Sequence, residues 1–452
     1  MSRDSQGTGD AVLVVGVGVN NRPLLAYWRA RGVRVVAADR TQPDQFAGPL
    51  DAGVAWCLGP DYLEQAVALG PYREVYVTPG MVKDQPLLRR LADQGSLLTC
   101  ETDLFLAECP APVLGITGSA GKTTTTSLVG AMLAADGSRP VFVGGNIGRS
   151  LLPDLPAISA DSWVVMELSS FQLDLTRHSP HGAAVLNIAP NHLDVHGSME
   201  AYVGAKAHIF AAQTPTDWLV LPEPPPASLG AALKRHRGRR LGFRVDGPVE
   251  RGVYVADGWL LWAGGGAERR ILPVDAWPLP GRMNLANACA AATMALAAGA
   301  RLDAVADALA RFRGVPHRLE PVREVDGIRF INDSIATAPD RTLAALEAVP
   351  GPLVVIAGGY DKHLDYDELG RALTRRARVV VLLGQTADKI ARALGPGPSV
   401  FRAGSLAEAV LIARREACPG DAVLLSPASA SYDMFRNFEE RGDQFRMLVG
   451  SL

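Results

Sequence analysis

The chain has 452 residues, 48% of them hydrophobic and 20% charged, which excludes a disordered protein and suggests roughly three globular domains. Its 45 Lys and Arg residues against 47 Asp and Glu residues give a net charge of −2, so nucleic-acid binding through a whole-molecule field is excluded and an anionic ligand needs a local site. Five scattered cysteines without a C-x-x-C pair, and a polar N-terminus without a signal peptide, predict a soluble cytoplasmic protein that does not enter a membrane.

Short β-like runs alternate with helix-length segments, which is the pattern of mainly parallel α/β sheets. In the first hundred residues the runs are Ala11–Gly18, Val33–Asp39, Glu74–Thr78 and Ser96–Cys100, with helical stretches such as Pro23–Ala30 and Tyr62–Leu69. A second set comprises Pro112–Thr117, Trp163–Glu167 and Ala183–Ile188. Residues 215–282 are rich in Pro and Gly and are expected to form a small β subregion or insertion.

A third set of runs is the most regular and comprises Ile328–Ile331, Leu353–Ala357, Val379–Leu383, Val400–Ala403 and Ala422–Leu425. Boundaries near Glu108–Pro112 and Arg313–Val315 predict three α/β domains, over residues 1–109, 110–313 and 314–452. We expect the first and third domains to be Rossmann-like. Ligands of such open sheets bind at the carboxyl ends of the strands, so polar residues directly after the apolar runs are candidate site residues.

The segment Gly118–Thr124, with the sequence GSAGKTT, follows the run Val113–Ile116 and precedes a helical stretch. Glycines let loop N–H groups point at phosphate oxygens, while Lys122 and a threonine hydroxyl can reach the β/γ-phosphates and Mg²⁺. The usual Walker pattern needs glycine at position 116, where this chain has isoleucine, so the loop is a variant. The pattern predicts a P-loop-type ATP-binding domain; the alternative is a glycine-rich turn with an exposed lysine.

Further polar residues follow apolar runs of the central domain. Glu167 ends the run WVVM, where a carboxylate can hold the Mg²⁺ of a nucleotide, although it could instead cap a helix. His192 follows the next run, so we expect it at the same sheet edge in a ligand or positioning role. Lys206, in a helical pattern, would by itself be a solvated lysine.

The outer domains carry polar residues of their own. Gly16-Val17-Gly18 resembles the start of the dinucleotide fingerprint, but Asn21 stands where the third glycine belongs. With Asp39 ending the second strand, the pattern fits a nucleoside diphosphate as well as a dinucleotide. The third domain supplies four polar segments: His317–Arg318, Asn332–Ser334, Gly358–Lys362 and Ser426–Asp433. Together these segments place cations and hydroxyls where a carboxylate and a nucleotide could be held.

Taken in chain order, the segments resemble the Mur ligases of peptidoglycan synthesis over essentially the whole chain. The matching segments are TGSAGKTTTT, GGNIG, ELSSFQL, NHLDVH, AKAHIF, MNLANACAA, GVPHRLE, NDS, GGYDK and SPASASYDMFRNFEERG. The last of them is most similar to the branch that adds D-glutamate. The resemblance implies an ATP-dependent ligase that joins UDP-N-acetylmuramoyl-L-alanine to D-glutamate through an acyl phosphate and releases ADP and phosphate.

The resemblance also implies roles for individual residues in the ATP site. The phosphates are expected on Gly118, Ser119, Ala120, Gly121, Lys122, Thr123 and Thr124, and the rest of ATP on Asn287, Arg318 and Asp333. Two Mg²⁺ ions are expected on Thr123, Glu167, His192 and Lys206. Lys206 resembles a lysine that CO₂ converts into a carbamate, which requires a neutral amine and therefore a lowered pKa. The catalytic residues implied are Lys122, Glu167, His192 and Lys206.

The two other substrates are assigned in the same way. The uridine group of the acid substrate is expected on Val19, Asn20, Asp39, Arg40, Thr78 and Gly80, and its muramoyl portion on Asn146. The incoming glutamate is expected on Lys362, Ser431 and Phe438, with Thr337 as a further substrate contact. These substrates are small molecules, and we expect a monomer that binds neither nucleic acid nor membrane.

One departure and three alternatives remain open. The family pattern after Asn-Asp-Ser is Lys-Ala-Thr-Asn, but Ile335 stands in place of the lysine, so its polar contact is absent or supplied by another residue. The alternatives are a sister ligase that adds another amino acid such as L-glutamate, a non-catalytic nucleotide-binding regulator, and a dehydrogenase that uses the G-x-G segment. The dehydrogenase does not explain the phosphate loop.

Overall fold

The computed structural model describes residues 11–18, 21–42, 50–147, 149–362 and 364–452, except for the side chain of Asp194. The chain divides into two compact units, Met1–Phe312 and Arg313–Leu452. The fold of each unit is mixed α/β with mainly parallel sheets, as the alternating runs predict. None of the described helices combines the length and the hydropathy that a bilayer span requires.

An N-terminal sheet comes first in the unit Met1–Phe312. Its described strands are β1 (Ala11–Val15), β2 (Arg34–Asp39), β3 (Ala55–Leu58), β4 (Glu74–Val77) and β5 (Leu97–Thr99), and its helices are α1 (Arg22–Ala30), α2 (Tyr62–Leu69), α3 (Pro86–Asp93) and α4 (Glu101–Glu108). The strands lie in the order β3-β2-β1-β4-β5, and all of them are parallel. The apolar sequence AVLVV of β1 is buried on both faces, as expected for a central strand covered by helices. The loops after β1 and β4 meet where the strand order reverses, which is where ligands of such sheets bind.

A central sheet belongs to the same unit. Its described strands are β6 (Val113–Thr117), β7 (Val141–Gly145), β8 (Trp163–Glu167), β9 (Gly182–Val185), β10 (Trp218–Pro222), β11 (Arg239–Arg244), β12 (Gly252–Ala256), β13 (Trp259–Ala263) and β14 (Arg269–Pro273). Its helices are α5 (Lys122–Asp136), α6 (Ser170–Leu173), α7 (Leu193–His196), α8 (Met199–Ala211), α9 (Gly230–Leu233), α10 (Arg282–Ala297) and α11 (Leu302–Arg311). The order is β14-β13-β12-β11-β10-β9-β6-β8-β7, and only the pairs β12–β13 and β13–β14 are antiparallel.

The stretch 215–282, which was expected to form a small β subregion or insertion, contains the described strands β10 to β14. Strand β10 pairs in parallel with β9, and β11 pairs in parallel with β10, so the stretch extends the central sheet. The physical reason lies in the run Trp218–Leu221, which is buried and therefore forms an interior strand. Only the last three strands form an antiparallel extension at the edge.

The unit Arg313–Leu452 holds a C-terminal sheet. Its described strands are β15 (Glu320–Val325), β16 (Ile328–Asn332), β17 (Leu353–Ala357), β18 (Ala377–Leu382), β19 (Ser399–Arg402) and β20 (Ala422–Leu425), and its helices are α12 (Pro339–Ala348), α13 (Asp367–Arg376), α14 (Ala387–Ala393), α15 (Leu406–Glu416) and α16 (Phe438–Gly450). The order is β15-β16-β20-β17-β18-β19, and only the edge strand β15 is antiparallel to its neighbour. Strands β16, β20 and β17 are parallel neighbours, so the loops after them lie side by side at one edge.

Candidate active site

The predicted phosphate-binding loop, Gly118–Gly121 (the phosphate loop), connects β6 to α5, as its sequence predicts. Gly121 precedes α5 with a φ of +85°, a left-handed conformation that glycine adopts without strain. A Cβ atom at this position would lie 2.2 Å from Oδ1 of Asn287, a buried residue of α10. The loop and Asn287 can therefore approach each other this closely only because residue 121 has no side chain.

Asn187, two residues beyond β9, braces the phosphate loop. Its Oδ1 accepts a hydrogen bond from the Ala120 N–H at 2.9 Å, and its Nδ2 donates to the Ala120 carbonyl at 3.0 Å. Its carbonyl accepts from the Ser119 N–H at 3.1 Å. Asn187 lies inside the predicted run Ala183–Ile188 and was assigned no role, although a polar residue at the end of a strand is the signal that identified Glu167.

Two lysines converge on the Gly118 carbonyl. Lys122 Nζ donates to it at 2.9 Å and to the Ser119 carbonyl at 3.3 Å. Lys206 Nζ donates to the same Gly118 oxygen at 3.0 Å and to Thr117 Oγ1 at 3.4 Å. Two ammonium groups on one carbonyl repel each other, so the loop in this form favours loss of a proton from one of them.

Lys206 is the better candidate to lose the proton, because its side chain is only 1% exposed. Burial, followed by the charge of Lys122, lowers the pKa of Lys206 to about 7. None of the carboxylates in the described part of the chain is paired with it. Its Nζ lies 4.6 Å from the ring centroid of Tyr202, whose hydroxyl is 2.9 Å from Ser119 Oγ. The prediction that Lys206, read by itself, is a solvated lysine is therefore wrong, because α8 packs this side chain inward beneath the loop.

Glu167 ends β8 with a carboxylate that is only partly satisfied. Its register partner in β6 is Ile116, two residues before Gly118, so the acid and the phosphate loop share one sheet edge. Oε1 accepts from Asn146 Nδ2 at 2.8 Å, whereas Oε2 is buried and has no hydrogen-bond partner among the described residues. A buried carboxylate oxygen without a donor is costly and is the type of ligand that Mg²⁺ prefers.

The described residues contain no group of three or more His, Cys, Asp or Glu side chains that could hold a metal ion. Mg²⁺ in nucleotide sites is usually held by one or two carboxylates together with the phosphates, so a lone Glu167 fits such an ion. Thr123 is buried in the first turn of α5, next to the half-buried Thr124. The residues present therefore fit a magnesium–nucleotide site and do not fit a metal site made of protein ligands alone.

The predicted ligand His192 lies next to the ring of Phe171. His192 is exposed at the start of α7 with a φ of +54°, and its ring centroid lies 5.0 Å from that of Phe171 in α6. Phe171 also stacks on His196 at 5.0 Å. Nε2 of His196 lies 3.0 Å from Ser170 Oγ. The pKa of His196 is lowered mainly by burial. Sequence analysis did not single out His196 or Phe171, because their contacts depend on how α6 and α7 fold together.

A cavity of about 220 Å³ opens beside the phosphate loop. Its lining includes Leu186, Asn187, Phe243, Met283, Ala286 and Asn287. Besides these apolar walls and two asparagine side chains, the lining includes the charged residues Glu223, Arg244, Asp246 and Arg282, so the cavity suits a flat heterocycle that carries hydrogen-bonding atoms.

The residues expected to hold uridine lie at the edge of the N-terminal sheet, insofar as the structure describes them. Asp39 accepts from the Val17 N–H at 2.7 Å and from the Thr41 N–H at 2.9 Å, so its carboxylate braces the loop after β1. Arg40 and Gly80 are exposed, and Thr78 is half-buried after β4. Val19 and Asn20 lie outside the described residues.

Asn21, at the third-glycine position of the fingerprint, is fully buried, and its Nδ2 donates to the Val15 carbonyl at 3.1 Å. The Asn21 side chain therefore points towards the end of β1 and fills the loop that follows this strand. This filled position departs from the glycine that brings helix and strand together in dinucleotide-binding folds.

The edge of the C-terminal sheet holds the buried acid Asp333. Its carboxylate accepts from the Leu319 N–H at 3.2 Å and from Ser426 Oγ at 2.8 Å. Burial raises the pKa of Asp333 to about 6, against the lowering effect of Arg318 and Arg341. Arg318 is exposed, while Ile335 and Thr337 are half-buried. Arg341, in the first turn of α12, is a second cation that acts on Asp333 beside Arg318, whereas Ile335 supplies none.

A buried arginine organises the loop after β20. Arg441 is 2% exposed; it donates to Ser334 Oγ at 3.0 Å, to the Ser429 carbonyl at 3.1 Å and to the Ala430 carbonyl at 3.3 Å. The loop that it holds carries Ser431, which is buried. Arg441 could not be predicted from the sequence, since a buried guanidinium held by carbonyl groups has no local sequence signature.

The remaining glutamate-site candidates also lie in this unit. Phe438 begins α16, and its ring centroid is 6.1 Å from that of His317. Lys362, after β17, is exposed. The pKa of Lys362 is lowered by desolvation of its ammonium, followed by the charges of Arg341 and Arg441. The described site residues therefore fall into three groups, at the edges of the N-terminal and central sheets of Met1–Phe312 and at the sheet edge of Arg313–Leu452.

Family models match two parts of the chain. The Mur ligase middle domain matches residues 116–295, and the glutamate ligase domain of Mur ligases matches residues 317–429. UDP-N-acetylmuramoylalanine–D-glutamate ligase of Symbiobacterium thermophilum is 45% identical over 447 residues, which cover 97% of each chain. The enzyme of the same name from Acetivibrio thermocellus is 39% identical over 98% of this chain and 96% of its own.

Solved structures resemble this fold at lower identity. UDP-N-acetylmuramate-alanine ligase from Thermotoga maritima is 20% identical with a TM-score of 0.51, over 98% of this chain and 99% of its own. The MurF ligase from Thermotoga maritima in complex with ADP is 17% identical with a TM-score of 0.51, over 99% and 97%. On the evidence of the two domain matches and the near full-length relatives, the chain belongs to the Mur ligase family.

Proposed function

We infer that the chain is an ATP-dependent ligase that forms an amide bond between UDP-N-acetylmuramoylalanine and D-glutamate. The observation that carries this inference is the 45% identity, over 97% of each chain, with a relative named for that reaction. The site supports it, because a phosphate loop, a partly unsatisfied acid and a buried lysine share one sheet edge. The near full-length relatives do not favour a sister ligase that adds another amino acid, a regulator or a dehydrogenase.

A free carboxylate must be activated before an amine can displace an oxygen from it. We propose that a carboxylate oxygen of the acid substrate attacks the γ-phosphorus of ATP, which breaks the bond to the β,γ-bridging oxygen and gives an acyl phosphate and ADP. The glutamate amine then attacks the acyl carbon, loses a proton and expels phosphate. Loop N–H groups and Lys122 would stabilise the charge that develops on the transferred phosphoryl group.

Mg²⁺ would neutralise phosphate charge during this transfer. Glu167 Oε2 is the proposed ligand with the clearest support, since it is buried without a donor. Thr123 would be the other protein ligand of the first Mg²⁺ ion. His192 and carbamylated Lys206 would be the protein ligands of the second ion. In the proposed carbamylation, the Lys206 ammonium first loses a proton; the neutral amine then attacks CO₂ and loses a second proton, so the group beside Lys122 becomes an anion.

The finer assignments are proposals as well. The 220 Å³ cavity beside Asn287 would take the adenine base, and Arg318 and Asp333 would complete the ATP contacts. Asp39, Arg40, Thr78, Gly80 and Asn146, with Val19 and Asn20, would hold the acid substrate. Thr337, Lys362, Ser431 and Phe438 would bind the glutamate. We further propose a monomer of three domains, over residues 1–109, 110–313 and 314–452, with Rossmann-like outer domains.

The experiment is phosphate release by the purified protein with ATP, Mg²⁺ and UDP-N-acetylmuramoyl-L-alanine. D-Glutamate, L-glutamate, meso-diaminopimelate and L-lysine are compared as amine substrates. We expect turnover with D-glutamate only, and none in the Lys122→Ala variant, which controls for contaminating ATPases. Turnover only with another amino acid would overturn the assignment of the substrate, and ATP binding without any turnover would favour the regulator.

A further inference from the structure

Lys83 joins the N-terminal sheet to the catalytic edge of the central sheet. It lies in the loop between β4 and α3, and its side chain is 16% exposed. Nζ donates to the Pro79 carbonyl of its own loop at 2.8 Å and to the Phe171 carbonyl of α6 at 3.4 Å. It also forms an ion pair with Asp174, directly after α6, at 3.3 Å. One ammonium group therefore holds a loop of one sheet against a helix of the other.

Each end of this link carries residues of the proposed site. On one side, Pro79 stands between Thr78 and Gly80, the two residues of this loop proposed to contact the acid substrate. On the other side, α6 begins three residues after Glu167 and presents the Phe171 ring to His192 at 5.0 Å. Lys83 thus joins the loop proposed to bind substrate to the segment that carries the proposed metal ligand.

Other contacts between these two parts of the unit lie elsewhere. Arg177 Nη2 is 3.4 Å from Asp103 of α4, and the Cys100 thiol donates to the Gln172 carbonyl at 3.3 Å. The first contact joins α4 to the segment after α6, and the second joins the N-cap of α4 to α6 itself, but neither involves the loop after β4. Lys83 therefore differs from these residues because it contacts the loop after β4. Arg177, a cation that links the two sheets at α4, provides a matched control.

We propose that Lys83 is a positioning residue, which locks the loop after β4 to α6 so that the carboxyl group of the acid substrate faces the edge formed by Glu167 and the phosphate loop. This inference rests on the proposed function. Because Nζ already has three acceptors, Lys83 acts through the loop and the helix rather than by touching substrate. Without the ammonium, the Asp174 carboxylate and two carbonyls lose their donor, and the loop is free to move away from α6.

The test is a comparison of Lys83→Met with the unchanged protein. We expect the KM for UDP-N-acetylmuramoyl-L-alanine to rise about tenfold with a smaller fall in kcat, while the KM for ATP stays within about twofold. Lys83→Arg keeps a cation that can reach the same acceptors, and it should restore the KM to within about threefold. Arg177→Met removes another cation between the two sheets and should leave both KM values unchanged.

A second readout does not depend on turnover. The thermal shift caused by UDP-N-acetylmuramoyl-L-alanine alone should need about tenfold more ligand in Lys83→Met, while the shift caused by ADP and Mg²⁺ should not change. If Lys83→Met does not fold, Lys83→Gln takes its place in the same comparison. A role in stability alone would lower the melting temperature and leave both affinities unchanged, which would overturn the proposal.

The two proposals fail in different ways. If the unchanged protein does not turn over this substrate, the proposed function is wrong. If it turns over and the Lys83 variants bind the substrate as tightly as the unchanged protein does, the positioning role is wrong. An equal rise of the KM for UDP-N-acetylmuramoyl-L-alanine in the Arg177→Met variant would also overturn the positioning role, because any loss of contact between the two sheets would then weaken substrate binding.

Discussion

Lys206 illustrates how burial sets the chemistry of a single residue. Its ammonium is 1% exposed and shares the Gly118 carbonyl with Lys122, so the charged form lacks both water and an acid partner. A neutral amine in this position is a nucleophile, whereas an arginine would stay charged at any accessible pH. The same geometry thus explains the lowered pKa and favours the proposed carbamate.

For this reason we expect Lys206→Arg to lower kcat by about a hundredfold or more, the size of effect seen when one stabilising group is removed from a transition state. Activity of the unchanged protein in CO₂-depleted buffer should be low and should recover when bicarbonate is added. The control is Lys234→Arg, an exposed lysine outside the site. Full activity of Lys206→Arg, or no response to bicarbonate, would contradict the carbamate.

Glu101 is a second buried group whose charge state affects the molecule, through stability. Its carboxyl group is 5% exposed and accepts from Ser150 Oγ at 2.5 Å; burial raises its pKa to about 7. Because the folded pKa lies above the unfolded value of 4.5, the native state holds the proton more tightly. The stability that this proton contributes is full below about pH 4.5 and is lost as the pH rises towards 7.

Glu101→Gln removes this titration while keeping a hydrogen-bonding group. We expect the free energy of unfolding of the variant, relative to the unchanged protein, to be about 2 kcal/mol higher at pH 8 than at pH 5. Chemical denaturation at the two pH values measures the difference. Glu200→Gln, at an exposed position, should show no such change, and a pH-independent difference for Glu101→Gln would contradict the raised pKa.

At the scale of elements, the two ends of α5 show what a glycine contributes. Gly121 and Gly137 flank the helix, both with positive φ, at +85° and +67°. A Cβ at Gly121 would collide with Asn287, whereas at Gly137 the nearest atom is 4.0 Å away. The two positions therefore separate the cost of an unfavourable backbone from the cost of a displaced neighbour.

We expect Gly137→Ala to lower the free energy of unfolding by about 1 kcal/mol and to leave the KM for ATP unchanged. Gly121→Ala should cost about 2–3 kcal/mol and raise the KM for ATP at least about tenfold, because the added methyl group pushes Asn287 from the loop. Urea titration and steady-state kinetics on both variants make the comparison. Equal effects of the two substitutions would show that the contact with Asn287 is unimportant.

Burial explains most, but not all, of the strands that were predicted: the largely exposed strand Ser399–Arg402 was found, and the buried strand Trp218–Pro222 was not given as a run. Apolar runs buried on both faces, such as Trp163–Glu167, can be located from composition alone, and so can the polar residue that ends each run. The strand Val141–Gly145 and the strand Ala55–Leu58 are only partly buried and were missed. Contacts between distant segments, such as Lys83 with Asp174 or Arg441 with Ser429, depend on tertiary packing and leave no pattern in the sequence.

At the scale of the whole molecule, the proposed ligands are divided between two compact units. The phosphate loop, Glu167 and Lys206 belong to Met1–Phe312, whereas Asp333, Lys362 and the loop held by Arg441 belong to Arg313–Leu452. A ligand that binds only the native form of one unit stabilises that unit first, by about 2.7 kcal/mol at a hundred times its Kd. Which unit binds which ligand can therefore be measured without turnover.

Hydrogen exchange read by mass spectrometry tests this division. A non-hydrolysable ATP analogue with Mg²⁺ should slow exchange in peptides covering 117–124 and 185–190, because loop N–H groups become donors to phosphate and Asn187 is fixed with them. D-Glutamate alone should slow exchange in peptides covering 358–362 and 426–438. Lys122→Ala should abolish the first effect and leave the second intact. Protection of the phosphate loop by D-glutamate, with none in the C-terminal peptides, would mean that the amino acid binds to the other unit and that Lys362 and Ser431 do not hold it.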